Sequence, residues 1–161
     1  MKKEDLPNKI AIFPLSNFII FPKTTVPLNI FEPKYIQMLD DAMKGNRLIG
    51  IIQPKKTGDL KKPNLYDVGC AGKITSFNET EGQRYLIVLN GICRFKIISE
   101  EINDKLYRVC KIDFTEFLED LNKTVDDIKF NDLKFIFEEL KSFYKKQGYL
   151  INLKEIKKNN L

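Results

Sequence analysis

At 161 residues, with 43% hydrophobic and 30% charged side chains, the chain suits one compact domain, or a main domain plus a small helical lobe. Its net charge is +5, but all 27 basic residues except Arg47, Arg84, Arg94 and Arg108 are lysines, a bias that genome composition also produces, so nucleic acid is the less favoured partner. There is no histidine, the three cysteines form no Cys-x-x-Cys, and no apolar run approaches the ~18 residues of a membrane span. Zinc, imidazole-based catalysis and a membrane partner are therefore not expected.

The first nine residues, MKKEDLPNK, place Glu4 and Asp5 after two lysines and have no apolar core before Pro7. That is not a signal peptide, and a cytoplasmic chain is the expectation. Lys9 to Leu15 reads as a first strand, closed by a turn at Ser16-Asn17, and Phe18 to Phe21 is an apolar, β-prone run. From Thr24, Val26, Leu28 and Ile30 alternate with Thr25, Pro27 and Asn29, the period of a half-buried strand. Proline at 27 calls for an open or bulged partner side.

Phe31 to Asn46 is expected to be helical, with Glu32 and Pro33 in the first turn. Tyr35, Met38, Leu39, Ala42 and Met43 form one apolar stripe, and Gly45-Asn46 supplies the stop. Arg47 to Gln53 is a short apolar strand. The lysine-rich PKKTGDLKKPN after it, from Pro54 to Asn64, reads as a mobile surface loop.

Leu65 to Phe77 restarts the sheet, with Gly69 and Gly72 marking a bulge or a close backbone approach. A hairpin turn over Asn78 to Gln83, with Gly82, leads into Arg84 to Leu89, the most β-prone segment. Asn90-Gly91 alone would signal a second hairpin. One long strand bent at Gly91 is preferred, because Gly82 already supplies the turn. On it Cys93, Phe95 and Ile97 face one way, Arg94 and Lys96 the other. Lys105 to Phe114 alternates again as the last strand. A composition shift at Leu118 to Lys123 precedes a helix capped at Thr124, running to about Gln147 and stopped by Gly148, with a second helix from Leu153.

No catalytic constellation stands out. Gly69 to Thr75 has the wrong spacing for a phosphate loop and lies in a strand. No serine sits in a Gly-x-Ser-x-Gly elbow. Adjacent acids such as Asp40-Asp41, Glu100-Glu101 and Glu138-Glu139 lack calcium-loop spacing. Cys70, Cys93 and Cys110 sit in apolar strands and read as small buried hydrophobes. The chain is read as non-enzymatic, with no catalytic residue, metal or cofactor.

One stretch carries more. Ile10 to Leu39 packs four prolines and four phenylalanines between short apolar runs. Its phrases are Phe13-Pro14-Leu15, Phe21-Pro22, and Pro27-Leu28-x-Ile30-Phe31-Glu32-Pro33-x-Tyr35. Ile49-Gly50-Ile51, Val68-Gly69-Cys70-x-Gly72-x-Ile74 and Leu89-x-Gly91-x-x-Arg94-Phe95-x-Ile97 follow in order. This resembles the N-terminal, substrate-binding domain of the Lon ATP-dependent protease and stand-alone Lon-domain proteins. The resemblance implies an α+β fold: a PUA-like curved β-barrel of about six strands with one inserted helix at about 32–46, over residues 1–117. A C-terminal helical lobe at 118–161 would follow, incomplete by comparison with the family's helical bundle.

It also implies a non-catalytic module that binds unfolded or tagged proteins, with a protease or ATPase as a further partner. Such a module needs an exposed apolar patch or an open sheet edge. Phe18, Ile19 and Ile20 are the first candidates, Phe31 and Tyr35 the second, with ordinary core packing as the competing reading of each. Two alternatives stand beside it. One is a PUA-like RNA-binding module using Arg84, Arg94 and Lys96. The other is an adaptor docking one specific protein partner.

Overall fold

In the computed structural model of the protein, residues 2–59, 62–80, 82, 84–122 and 130–146 are described. The chain divides into two units, the first ending at Asn122 and the second starting at Lys123. The first unit contains β1 (Lys9–Pro14), β2 (Thr25–Ile30), α1 (Pro33–Lys44), β3 (Leu48–Ile52), β4 (Pro54–Asp59), β5 (Lys62–Leu65), β6 (Val68–Thr80), β7 (Arg84–Glu101) and β8 (Arg108–Asp113). Short 3₁₀ segments at Lys3–Asp5 and Thr115–Leu121 flank them. In the second unit α2 (Phe130–Lys146) is described. The expected cap at Thr124, stop at Gly148 and helix from Leu153 lie outside the described residues.

Six strands form one sheet in the order β2-β7-β6-β3-β1-β8, and β7 also pairs with β8. That last pairing closes a ring of five strands, leaving β2 as a flank on the first half of β7. The 18-residue β7 makes both arrangements possible: its first half pairs with β2, its last residues with β8, and β6 runs along most of it. It is one strand, bent at Gly91 as expected. Register shifts at Ala71/Gly72, Ile74/Ser76 and Ile97/Ser99 supply the curvature that closure needs. Pro27 sits on the flanking strand β2, where a missing N–H is tolerated.

Two apolar cores lie on opposite faces of the wall. Ile10, Ile12, Leu48, Ile52, Ala71, Cys93, Phe95, Cys110 and Ile112 fill the inside of the ring. Phe13, Ile49, Ile51, Ile74, Ile87 and Leu89 point to the other face, where Tyr35, Met38 and Leu39 of α1 cover them. Strand β3 is buried along its whole length because both its faces meet a core, which is why its sequence is continuously apolar. Gly69 belongs to the same economy of space: a Cβ there would stand 2.7 Å from both the Ile51 carbonyl oxygen and the Phe95 ring.

Three local expectations need correction. The lysine-rich segment after β3 is a two-stranded hairpin, β4 with β5, paired through Pro54↔Leu65 and Asp59↔Lys62. Its composition suits a loop, but the pairing is set by backbone groups, to which polar side chains are indifferent. Phe18 to Phe21 forms no strand. It crosses the bend of β7, with the Lys23 N–H donating to the Gly91 carbonyl and the Gly91 N–H to the Thr24 carbonyl, both at 2.8 Å. Finally, α1 spans Pro33–Lys44 and not Phe31 to Asn46, with Glu32 and Gly45 at its ends, so the stop at Gly45 is as expected and the bounds are shorter.

Candidate functional site

The groove starts from a turn. The Thr24 N–H donates to the Phe21 carbonyl at 3.2 Å, Pro22 supplies a preset φ, and Lys23 takes φ 65°, the pattern of a type II turn. The Thr24 hydroxyl also donates to the Phe21 carbonyl at 2.7 Å. So held, the extended run before the turn alternates: Ile19 and Phe21 are 59% and 60% exposed, while Ile20 is 4% exposed and packs into the core. Gly91 permits this approach, since a Cβ on it would collide with the Phe21 carbonyl.

Opposite this run stand the end of β3 and the start of β6. Ile51, Ile52 and Gln53 form one side, and Tyr66, Asp67, Val68, Gly69 and Cys70 the other, enclosing about 430 Å³ with Phe18 to Phe21. Tyr66 and Val68 are exposed large hydrophobics like Ile19 and Phe21. The Tyr66 N–H donates to the Gln53 carbonyl at 3.0 Å, which fixes the far wall. Among the described residues, two ionic groups line the groove, Asp67 and Arg94. Asp67 pairs with Lys55 at 3.5 Å, and that ammonium also lies 5.7 Å from the centre of the Tyr66 ring.

The structure brings Phe18, Ile19 and Ile20 together as groove residues and separates Phe31 and Tyr35 from them. Ile20 lines the groove floor as a core residue. Phe31 is 61% exposed and lines neither this groove nor the second one described below. Tyr35 is buried, its ring 4.4 Å from that of Phe13. The sequence reading passed over Phe21, Tyr66 and Val68. Phe21 was visible only as half of Phe-Pro, and the exposure of the other two depends on which strand ends meet.

Of the three candidates for an RNA face, Arg94 and Lys96 are held in internal ion pairs. Arg94 donates through Nε and Nη2 to the Asp120 carboxylate at 2.9 and 2.8 Å, and its guanidinium lies 4.7 Å from the Phe117 ring centre. Lys96 pairs with Glu116 at 3.0 Å. These acids belong to the 3₁₀ segment, so both cations fasten it to the barrel. The hydrogen bond from Arg94 holds the Asp120 carboxyl below its ordinary range. Arg84 is exposed at the start of β7.

A second groove of about 590 Å³ is richer in ionic groups and is also lined by the exposed Ile102 and Leu106. There Glu100 accepts from Arg108 at 2.7 and 3.1 Å and from Lys62 at 2.9 Å, while Arg108 also donates to the Pro63 carbonyl at 2.7 Å. Asp41 accepts from Lys105 at 2.8 Å and from the Tyr107 hydroxyl at 2.7 Å. Burial pushes Cys70 up to about 12 and Cys93 and Cys110 up to about 11, so none supplies a thiolate near neutral pH. Among the described residues no cluster of three His, Cys, Asp or Glu side chains could hold a metal.

Residues 9–160 match the family model of the ATP-dependent protease La (LON) substrate-binding domain. The chain belongs to that family. The match covers the barrel and extends through most of the second unit, beyond the segment in which the Lon motifs are recognisable by eye. A Lon protease from Anaeromyxobacter dehalogenans is 28% identical over 142 residues, covering 87% of this Lon domain chain and 16% of the relative. One from Syntrophus aciditrophicus is 30% identical over 124 residues, covering 72% and 16%. The chain thus spans about a sixth of the length of these relatives.

A Lon N-terminal domain protein from Xanthomonas campestris superposes with a TM-score of 0.55 at 20% identity, covering 66% of this chain and 59% of its own. The N-terminal domain of Mycobacterium avium complex Lon protease gives 0.54 at 12% identity, covering 87% and 69%. These two likenesses show the α+β fold. What the chain matches is the substrate-binding domain of the Lon family and not its protease domain.

Proposed function

We propose that this Lon domain is a non-catalytic, cytoplasmic module that binds unfolded or tagged polypeptides in the apolar groove beneath Phe18 to Phe21. Delivery to a protease or ATPase is part of the same reading. The observation that carries it is the exposure of Ile19, Phe21, Tyr66 and Val68 around one open, nearly uncharged groove. Exposed large apolar side chains gathered in one place mark interaction surfaces, whereas scattered ones are ordinary. Its volume falls in the range of about 300–1,000 Å³ typical of ligand sites. Apolar walls suit the aliphatic and aromatic side chains that unfolded chains expose.

The test is a titration of a labelled unfolded polypeptide and a labelled single-stranded RNA, each at low and high salt. Polypeptide binding is expected to survive salt, and to weaken about tenfold or more in the double variant Ile19→Ser, Phe21→Ser, since each side chain buried on binding contributes about 1.5–3 kcal/mol. RNA binding that collapses with salt, with no polypeptide binding, overturns the proposal. Binding of neither overturns it in favour of an adaptor for one dedicated partner.

A further inference from the structure

The groove has one hydrogen-bonding cation, and the chain has arranged how much charge that cation shows. Arg94 is 47% exposed at its side chain, while its partner Asp120 is only 11% exposed. The guanidinium therefore stands in front, at the groove, with the carboxylate behind it. Asp120 is itself fixed by three donors: Arg94 Nε, Arg94 Nη2 and the Arg94 main-chain N–H at 3.0 Å. An arginine carries five N–H donors, so three remain after Asp120 has taken two. What lines the groove is a donor fork whose charge is already matched.

Such a fork suits neutral acceptors. A free guanidinium would favour carboxylates and phosphates through bidentate, charge-assisted bonds. A matched one offers direction without net attraction. The remaining ionic wall residue, Asp67, is likewise paired, with Lys55. An extended polypeptide presents main-chain carbonyls at every residue, whatever its sequence.

Resting on the polypeptide-binding reading above, we infer that Asp120 sets the selectivity of the groove: it neutralises Arg94 so that the fork receives uncharged main-chain carbonyls and gives acidic segments no advantage. Asp120 is a positioning residue here, acting through Arg94. Its place on the Thr115–Leu121 segment makes selectivity depend on that segment staying docked.

The experiment uses the full chain and three short peptides sharing one apolar core, flanked by serine, aspartate or lysine, each titrated at low and high salt. The unaltered protein is expected to bind the serine- and aspartate-flanked peptides within about twofold of each other. Asp120→Asn, which keeps the shape and one acceptor, should bind the aspartate-flanked peptide about five- to tenfold more tightly at low salt, an advantage lost at high salt. Arg94→Lys, which keeps the charge but breaks the bidentate pairing, should shift in the same direction. Arg94→Met, which leaves the Asp120 charge unmatched, should weaken the aspartate-flanked peptide most and the lysine-flanked one least at low salt, the three converging on a common loss of about tenfold at high salt.

If Asp120 only fastens the 3₁₀ segment, its variant weakens all peptides alike or none, and the inference falls. A strong, salt-sensitive preference of the unaltered protein for the aspartate-flanked peptide overturns it without any variant. Failure of the unaltered protein to bind any peptide instead sinks the polypeptide-binding reading itself.

Discussion

The barrel carries two grooves of comparable size whose walls differ in how many ionic groups they hold. In the polar groove every charge shown has an internal partner: Glu100 with Arg108 and Lys62, Asp41 with Lys105 and Tyr107. These pairs tie the β7–β8 connection to α1 and to β5, and the groove is the outside of a fastening. In the apolar groove the two ionic residues are matched in the same way, and Ile19, Phe21, Tyr66 and Val68 are left facing water, as Ile102 and Leu106 are at the other groove. Polar surface can be satisfied by its own chain or by solvent. Apolar surface at the mouth of a groove can be relieved only by an occupant. Volume does not distinguish the two grooves; the number of ionic groups among their described wall residues does.

The comparison breaks most sharply at Gly91. A side chain there collides with the Phe21 carbonyl, so Gly91→Ala must lift the run from Phe18 to Thr24 off the bend of β7. A loss of about 2–4 kcal/mol is expected in chemical denaturation, together with loss of polypeptide binding. An unchanged denaturation midpoint would mean that the run does not rest on the bend.

A smaller effect is expected across the molecule at Glu100. Burial pushes its carboxyl up, but hydrogen bonds from Arg108 and Lys62 outweigh this and bring it below the ordinary carboxylate range. Because the folded value is the lower one, the stabilisation is complete above the unfolded value of about 4.3 and is lost as pH falls through the folded one. Glu100→Gln should cost about 1–2 kcal/mol at neutral pH, flatten the acid limb of the stability profile, and leave polypeptide binding intact. Equal sensitivity of binding to this variant would erase the distinction between the grooves.

The smallest stability effect belongs to the apolar rim. Ile19→Ser with Phe21→Ser should change the denaturation midpoint by no more than about 0.5 kcal/mol, because these side chains are already exposed. The same variant that barely affects folding is the one expected to weaken binding about tenfold or more, and a large destabilisation would reassign both residues to the core.

Much of the barrel was legible residue by residue. The alternation from Thr25 to Ile30 became β2 with Ile30 buried, and the stripe Tyr35, Met38, Leu39 became the covered face of α1. The bend at Gly91 was preferred over a hairpin for the right reason, since the closing turn lies at Gly82, which takes φ 75°. The site was less legible. Within Phe18 to Phe21 all four side chains are equally apolar, and only the crossing over Gly91 decides that Ile20 turns in while Ile19 and Phe21 turn out. Arg94 and Lys96 share a strand face as read, but their acids arrive from the segment after β8.

By itself the sequence determined the local periods, the proline and glycine positions, and through its ordered motifs the family. Those depend on neighbours within a few residues, where sterics and backbone hydrogen bonding act directly. The tertiary structure alone decided which apolar residues remain uncovered and which charges are neutralised. Burial and ion pairing are properties of neighbours in space: Asp120 reaches Arg94 across 26 residues, and the Phe21 carbonyl reaches Gly91 across the fold.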